Sequence, residues 1–88
     1  MFEFDNTKSD SNRIKHGIDF ETATELWRDP ARIEIPARSD DENRFLLIAV
    51  LENKVWSAVY TKRNDRIRII SVRKSRKNEK EIYKSFRI

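Results

Sequence analysis

The sequence predicts an α+β fold in which two N-terminal helices and one C-terminal helix accompany a four-stranded antiparallel sheet. Candidate helix caps followed by apolar residues at helical spacing occur near both ends of the chain, and apolar residues alternate with polar ones in the middle. Short turns join the last three strand segments, which is typical of an antiparallel meander. At 88 residues, the chain is expected to form one domain, residues 1–88.

The N-terminal segment predicts a short strand and a first helix. Phe2 to Phe4 alternate apolar and acidic residues, which suits a strand. Asp5 can then be the N-cap of a polar helix over residues 6–16, and Gly17 can end that helix in the left-handed conformation. Ile14 is essentially the only apolar residue of this helix.

Two more helices follow from N-cap candidates and apolar spacing. Asp19 can begin the second helix, and Asp29-Pro30 ends it, because the residue before a proline is disfavoured in a helix. The apolar face of the second helix consists of Phe20, Ala23, Leu26 and Trp27. Ser75 can begin the third helix. The apolar stripe of the third helix, expected to dock on the sheet, consists of Ile82, Tyr83 and Phe86.

The middle of the chain predicts the four strands. Ile33 and Ile35 alternate with charged residues, and Pro36 marks an edge or an end. Arg44 to Leu51 is nearly continuous apolar sequence, which is typical of a central strand covered on both faces. Short turns then lead to a strand over Val55 to Thr61 and to a last strand that begins at Arg66.

The last strand has a change of phase. Arg66 and Arg68 share a face with Ile70 under strict alternation, so each face changes character partway along the strand. Either a bulge near Ile69-Ile70 resets the phase, or the second half of the strand is buried on both sides.

Charge is distributed unevenly along the chain. Residues 62–88 contain 11 Lys and Arg and 3 acids, a net charge of +8, whereas residues 1–61 have a net charge of −4. Guanidinium groups held by a strand match phosphate oxygens well, which indicates a polyanion such as nucleic acid as the partner. The scattered lysines Lys62, Lys80 and Lys84 are instead interpreted as solvated surface.

Several function classes are disfavoured by composition. The chain has no cysteine and a single histidine, and its acidic run Asp40-Asp41-Glu42 suits a solvated loop better than a metal site. One glycine cannot build a Gly-rich phosphate loop. We therefore expect no metal and no cofactor. The longest apolar run is far too short for a membrane span, and no signal-peptide pattern occurs, so we expect a cytoplasmic protein without membrane contact.

Metal-free RNA cleavage requires only a few side chains. The 2′-OH is the nucleophile, clustered Arg and Lys stabilise the charged phosphorus, and a His, Tyr, Lys or Glu moves protons. His16, in the last turn of the first helix, is either a general acid or base or a cap of that helix. Tyr60 is interpreted as a packed aromatic, and Glu79 as the partner of a Lys or Arg rather than a base.

An ordered set of residues along the chain resembles the BrnT toxins of type II toxin–antitoxin systems. The set consists of Asp5, Lys8, Asn12, Lys15-His16-Gly17, Phe20, Ala23, Asp29-Pro30, Arg44-Phe45, Tyr60-Thr61, Arg66 to Ser71, Arg73, Arg76, Glu79 and Tyr83. Val72 stands where alanine is usual, and Asn53 and Asn64 lie in turns that usually contain glycine. These departures concern packing and turn shape and leave the charged residues intact.

The resemblance implies a RelE-like fold and a ribonuclease that halts translation. It also implies a BrnA-type antitoxin, which is dimeric and has a ribbon-helix-helix part, so that toxin and antitoxin form a heterotetramer and operator DNA is bound only through the antitoxin. The catalytic positions that it carries over are Lys15, His16, Arg44, Arg66, Arg68, Arg73 and Arg76. Within this set, we expect the arginines to bind phosphate and His16 or Lys15 to move protons.

Two other functions fit the same basic face. A non-enzymatic module would bind RNA or DNA with strong salt dependence and would not cleave it. A pure interaction protein would use the face to bind an acidic protein partner.

Overall fold

A computed structural model of the chain describes residues 1–37 and 43–86. The acidic run Asp40-Asp41-Glu42 and most of the predicted loop around it lie outside the described residues. The elements, in chain order, are β1 (Phe2–Glu3), α1 (Asn6–His16), α2 (Phe20–Ala23), a 3₁₀ helix (Thr24–Arg28), β2 (Ile33–Ala37), β3 (Arg44–Leu51), β4 (Lys54–Arg63), β5 (Arg66–Lys74) and α3 (Lys77–Ser85).

The sheet has five strands in the described part of the chain, in the order β1-β5-β4-β3-β2. The last three strands, β3 to β5, form the predicted antiparallel meander, and β2 pairs antiparallel with β3. The prediction of a four-stranded, purely antiparallel sheet was wrong, because β1 pairs parallel to β5 through Phe2↔Ile67 and Glu3↔Arg68. The α+β class is confirmed. The sequence of a two-residue strand does not indicate which distant strand it pairs with.

A β-bulge in β5 shifts the alternation of its side chains by one residue, which confirms the first of the two predicted alternatives. Val59 pairs with Ser71 while Tyr60 pairs with Ile69, so Ile70 has no partner on β4. The extra residue turns Ile69 and Val72 to the same face, where both are buried. Arg68 and Ser71 face the other way and remain half-buried.

One face of the sheet carries α1, α2, the 3₁₀ helix and most of the core. The predicted cap of α2 is present, since the Asp19 carboxylate accepts from the Thr22 amide at 2.7 Å, and this bond lowers the pKa of Asp19. The second helix differs from the predicted continuous one, because a single α turn changes to 3₁₀ geometry at Thr24. The core on this face includes Phe20, Ala23, Leu26, Leu47, Ala58, Tyr60, Ile69 and Val72.

Polar side chains hold α1 in place. Asp5 and Gly17 cap the helix as predicted: the Asp5 carboxylate accepts from the Lys8 amide at 3.1 Å, and Gly17 has a φ of 83°. Ile14, however, is 79% exposed, whereas Ser9 and Asn12 are buried. Because its apolar residue faces solvent, α1 is held by hydrogen bonds rather than by an apolar stripe.

The opposite face of the sheet is covered at one end by α3. Tyr83 is buried there, but Phe86 is 72% exposed, so the predicted stripe was wrong for Phe86. Arg76, not the predicted Ser75, is the N-cap residue of α3. Ser75 is buried instead, with its hydroxyl 2.7 Å from that of Ser57 on β4. No helix within residues 1–37 and 43–86 is long and apolar enough to cross a membrane.

Candidate nucleic-acid interface

Arginines line the part of this second face that lies beyond α3, which we call the open face. Its central row is Arg44, Thr61 and Arg68, which are direct partners across β3, β4 and β5. Paired residues point to the same side of a sheet, and strands lie about 4.8 Å apart, so the two arginines are separated by about 10 Å. Arg63 and Arg66 form the next row on the same face. Four guanidinium groups therefore share one surface.

Two buried polar atoms in the central row lack a hydrogen-bond partner among the described residues. They are Nε of Arg44 and Oγ1 of Thr61. Thr61 is only 2% exposed between its two arginine neighbours. Buried polar atoms are normally paired, so an unpaired donor next to an unpaired hydroxyl is typical of a place where water or a polar ligand binds.

Glu3 ties together two arginines of the open face. Its carboxylate lies 3.3 Å from Nη1 of Arg68 and 3.6 Å from Nη1 of Arg66. Glu3 and Arg68 are also register partners of the parallel β1–β5 pair. One carboxylate shared by two guanidinium groups leaves the surface with net positive charge.

Lys15 and His16 lie elsewhere, at the outer edge of β5. They line a cleft of about 200 Å³ between α1 and the bulge of β5, together with Lys8, Ser11, Asn12, Phe20, Ile70 and Ser71. Lys15 is exposed and His16 is half-buried. Ser71 connects this edge cleft to the open face, because it lies three residues, or about 10 Å, along β5 from Arg68.

Arg73 is held in a buried network centred on Glu79. Its two terminal nitrogens donate to the two carboxylate oxygens of Glu79 at 2.7 and 2.9 Å. Glu79 also accepts from the Arg76 amide at 2.8 Å and from the Ser57 hydroxyl at 2.9 Å. The bond to Arg73 is the largest cause that lowers the pKa of Glu79 to about 2, and the same bond raises the pKa of Arg73. The predicted pairing of Glu79 with a cation is confirmed.

The seven predicted site residues therefore do not form one group. Arg44, Arg66 and Arg68 share the open face, while Lys15 and His16 share the edge cleft. The other two belong to the α3 end of β5, where Arg73 is paired with Glu79 and Arg76 is exposed at the N-cap.

Tyr60 is packed inside the protein, as its amphipathic character predicted. The side chain is fully buried, stacks on Phe45, and donates a hydrogen bond from its hydroxyl to Glu34. Burial and then this bond raise the pKa of Tyr60 above its usual value. A phenol in that environment has no access to a ligand on the open face.

Sequence reasoning did not identify Glu3 or Thr61 as parts of the open face. Thr61 carries no charge and was named only as part of the family resemblance, and Glu3 belongs to a strand of two residues, so the sequence alone does not place either residue on the open face. Asp29 was predicted as a helix stop and as part of the family resemblance. Its carboxylate also accepts from the Val50 amide at 2.9 Å and from the Tyr83 hydroxyl at 2.5 Å, which links the 3₁₀ helix to β3 and α3.

Comparison with known families identifies the chain. Residues 4–79 match the family model described as the ribonuclease toxin, BrnT, of type II toxin–antitoxin systems. The chain belongs to the BrnT family. The predicted resemblance is thus confirmed over most of the chain, and membership in a type II toxin family implies an antitoxin partner. A search of curated proteins finds no match.

All seven candidate residues lie within the BrnT match, and Glu3 lies just before it. The description of the BrnT family names ribonuclease activity. The open face presents the cationic groups that such an activity requires.

Proposed function

We propose that this BrnT chain is a metal-independent endoribonuclease that cleaves cellular RNA and thereby halts translation in the cytoplasm. The observation that carries the proposal is the row Arg44, Thr61 and Arg68, in which buried polar atoms are left unpaired beside two guanidinium groups. A phosphate diester placed over Thr61 would accept hydrogen bonds from both sides of the row. Guanidinium forks suit such bidentate contacts to phosphate oxygens.

Cleavage in this proposal uses only the substrate and the side chains of the protein. The ribose 2′-oxygen attacks the neighbouring phosphorus, and the bond from phosphorus to the 5′-oxygen breaks. The products are a 2′,3′-cyclic phosphate and a 5′-hydroxyl, so atoms and electrons balance without a co-reactant. Arg44, Arg66 and Arg68 stabilise the negative charge that accumulates on the phosphoryl oxygens in the transition state.

Proton transfer is assigned to the edge cleft. His16, or Lys15 beside it, takes the proton of the 2′-OH or gives one to the leaving 5′-oxygen. The support is proximity along β5: Ser71 lines the edge cleft and lies about 10 Å from Arg68, a span that an arginine side chain and one nucleotide together can bridge. RNA would then cross from the open face to the edge of the sheet.

Arg73 and Arg76 have a supporting role in the proposal. Arg73 is engaged by Glu79 through both terminal nitrogens, so it positions the start of α3. Arg76 is exposed and can contact RNA phosphates beyond the cleavage site.

Substitution of the open-face arginines tests the proposal directly. We expect Arg44→Ala and Arg68→Ala each to lower the cleavage rate by about 100-fold, the usual loss when one donor to a developing oxyanion is removed. The measurement is cleavage of labelled RNA with EDTA present, with identification of the cyclic-phosphate end. Arg28→Ala is the matched control, since Arg28 is an exposed arginine on the helix-covered side that pairs with Glu25 at 3.7 Å.

His16→Ala separates proton transfer from phosphate binding in the same assay. It should slow cleavage and flatten the pH–rate profile while the affinity for 2′-O-methyl RNA, which lacks the nucleophile, stays unchanged. RNA left intact by the wild-type protein, together with normal growth when the protein is expressed, would contradict the proposal. Binding without cleavage would assign the open face to a non-enzymatic nucleic-acid module instead.

We also propose, from the resemblance, that a BrnA-type antitoxin neutralises the toxin. In the proposed complex, which is a heterotetramer, the toxin has a RelE-like fold. The ribbon-helix-helix part of the antitoxin, rather than the toxin, binds operator DNA. Co-expression with the antitoxin from the same operon should restore growth, and the purified complex should have the mass of two toxins and two antitoxins.

A further inference from the structure

A second cationic site lies at the opposite end of the sheet from the central arginine row. It is a cleft of about 360 Å³ between the β3–β4 turn, the end of β5 and α3. We call it the lysine cleft, and its lining residues are Asn53, Lys54, Val55, Lys74, Lys80 and Lys84. The four lysines come from three separate elements, so only the folded chain brings them together.

The charges of the lysine cleft are not compensated within the described part of the chain. None of its four lysines forms an ion pair with another described residue. Glu52 and Glu81 are the sequence neighbours of the lining residues Asn53 and Lys80, but neither glutamate lines the cleft. Lys80 and Lys84 are four residues apart on α3, a spacing at which like charges destabilise a helix. An anionic partner would remove this repulsion.

The lysine cleft is separated from the open face by α3. Val55, Ser57, Val59 and Thr61 follow one another on the same face of β4, and α3 lies over Ser57 through the hydrogen bond from Ser57 to Glu79. Val55 is therefore on one side of α3 and Thr61 on the other. Lys54 lies seven residues, or about 23 Å, from Thr61 along the strand. RNA held over Thr61 would have to cross α3 to enter the cleft.

We propose that the lysine cleft binds an acidic segment of the antitoxin. The inference rests on the antitoxin partnership that the family implies and is independent of RNA cleavage. Lysine ammonium groups are flexible point charges that can each pair with one carboxylate, whereas the rigid guanidinium forks lie on the open face. Val55 supplies an apolar contact for the aliphatic part of such a segment. An antitoxin bound here would leave the arginine row to be covered by another part of its chain.

Charge reversal in the cleft tests the proposal on the intact toxin. Lys80→Glu/Lys84→Glu should weaken binding of a fluorescein-labelled oligoglutamate peptide by about tenfold, measured by fluorescence anisotropy at low salt. The matched control is Arg13→Glu/Lys77→Glu, which changes the net charge equally at exposed positions outside the cleft. The control should retain most of the affinity for the peptide.

Two parallel measurements distinguish the possible outcomes. The antitoxin from the same operon should bind the cleft variant about tenfold more weakly than the control variant, while RNA cleavage by both variants stays at the wild-type rate. Equal weakening in both variants would show a non-specific charge effect and overturn the proposal. Loss of binding to a DNA oligonucleotide, with peptide and antitoxin binding retained, would overturn it in favour of a nucleic-acid contact. A wild-type protein without ribonuclease activity would contradict the proposed function and leave this test intact.

Discussion

Glu79 pairs with three groups, whereas the sequence predicted a single Lys or Arg partner. Its carboxylate accepts hydrogen bonds from Arg73, from the Arg76 amide and from Ser57. Because Ser57 donates to Glu79, the proton between Ser57 and Ser75 belongs to Ser75. The network joins β4, β5 and the first turn of α3, and a buried carboxylate so fully paired is stabilised in its charged form.

Glu79→Gln should destabilise the folded protein by about 3 kcal/mol near neutral pH, since it leaves the charge of Arg73 without its buried partner. The lowered pKa of about 2 also fixes the sign of the pH dependence. The carboxylate stabilises the folded state fully above its usual pKa of 4.5, and this contribution is lost as the pH falls from 4.5 towards 2.

Urea unfolding at several pH values measures both effects. The difference in unfolding free energy between the wild type and Glu79→Gln should shrink as the solution is acidified. Glu81→Gln is the control, because Glu81 is exposed on the same helix. A difference that stayed constant down to acidic pH would show that the Arg73–Glu79 pair does not stabilise the fold.

At the scale of elements, α1 shows how a helix without an apolar stripe is held. Asn12, which is 7% exposed, donates to the carbonyls of Ile18 and Val72 at 2.8 and 2.9 Å. Its carbonyl oxygen accepts from the Val72 amide at 3.2 Å. The side chain thus pairs the free edge of β5 beyond β1, much as a further strand would. Ser9 completes the attachment by accepting from the Phe20 amide at 2.8 Å.

Asn12→Ala should lower the free energy of unfolding by roughly 3 kcal/mol, since three buried hydrogen bonds of about 1 kcal/mol each are lost. Ile14→Ala is the matched control on the same helix, and it should change stability by less than about 0.5 kcal/mol, because Ile14 is 79% exposed. Denaturant unfolding of the two variants is the measurement. Equal effects of the two substitutions would mean that α1 is held by contacts other than the amide of Asn12.

Across the whole molecule, the uneven charge of the sequence becomes two separate cationic surfaces. Strands β4 and β5 bring arginines to the open face, and the far ends of the same strands, with α3, form the lysine cleft. Positive charge on a surface that neutralises phosphates makes nucleic-acid affinity depend on salt, because bound counterions are released.

The salt dependence of RNA binding indicates how many arginines contact phosphate groups. For 2′-O-methyl RNA, a plot of log affinity against log salt concentration should become less steep by about 0.7 for each of Arg66→Ala and Arg68→Ala. Arg28→Ala should leave the slope unchanged, since Arg28 lies away from the open face. Unchanged slopes in the two open-face variants would place the phosphates elsewhere on the protein.

Much of the fold followed from local sequence. The caps Asp5, Gly17 and Asp19 and the meander of β3 to β5 were predicted from patterns that depend on neighbouring residues only. The seven site residues were assigned by resemblance, and the sequence could not show that they lie in separate groups. Arg73 illustrates the difference, because its partner Glu79 is set by the docking of α3 on the sheet.

By itself, the sequence determined the α+β class, the order of helices and strands, the family, and the excess of cations at the C-terminal end. Cap geometry, alternation and net charge are local or additive properties, so they can be taken directly from the order of residues. The tertiary structure alone decided that β1 adds a parallel strand and brings Glu3 to Arg68, and that Thr61 lies between two arginines. It also decided that four lysines line one cleft. These contacts join residues far apart in the chain, and their formation depends on how the sheet and its helices pack as a whole.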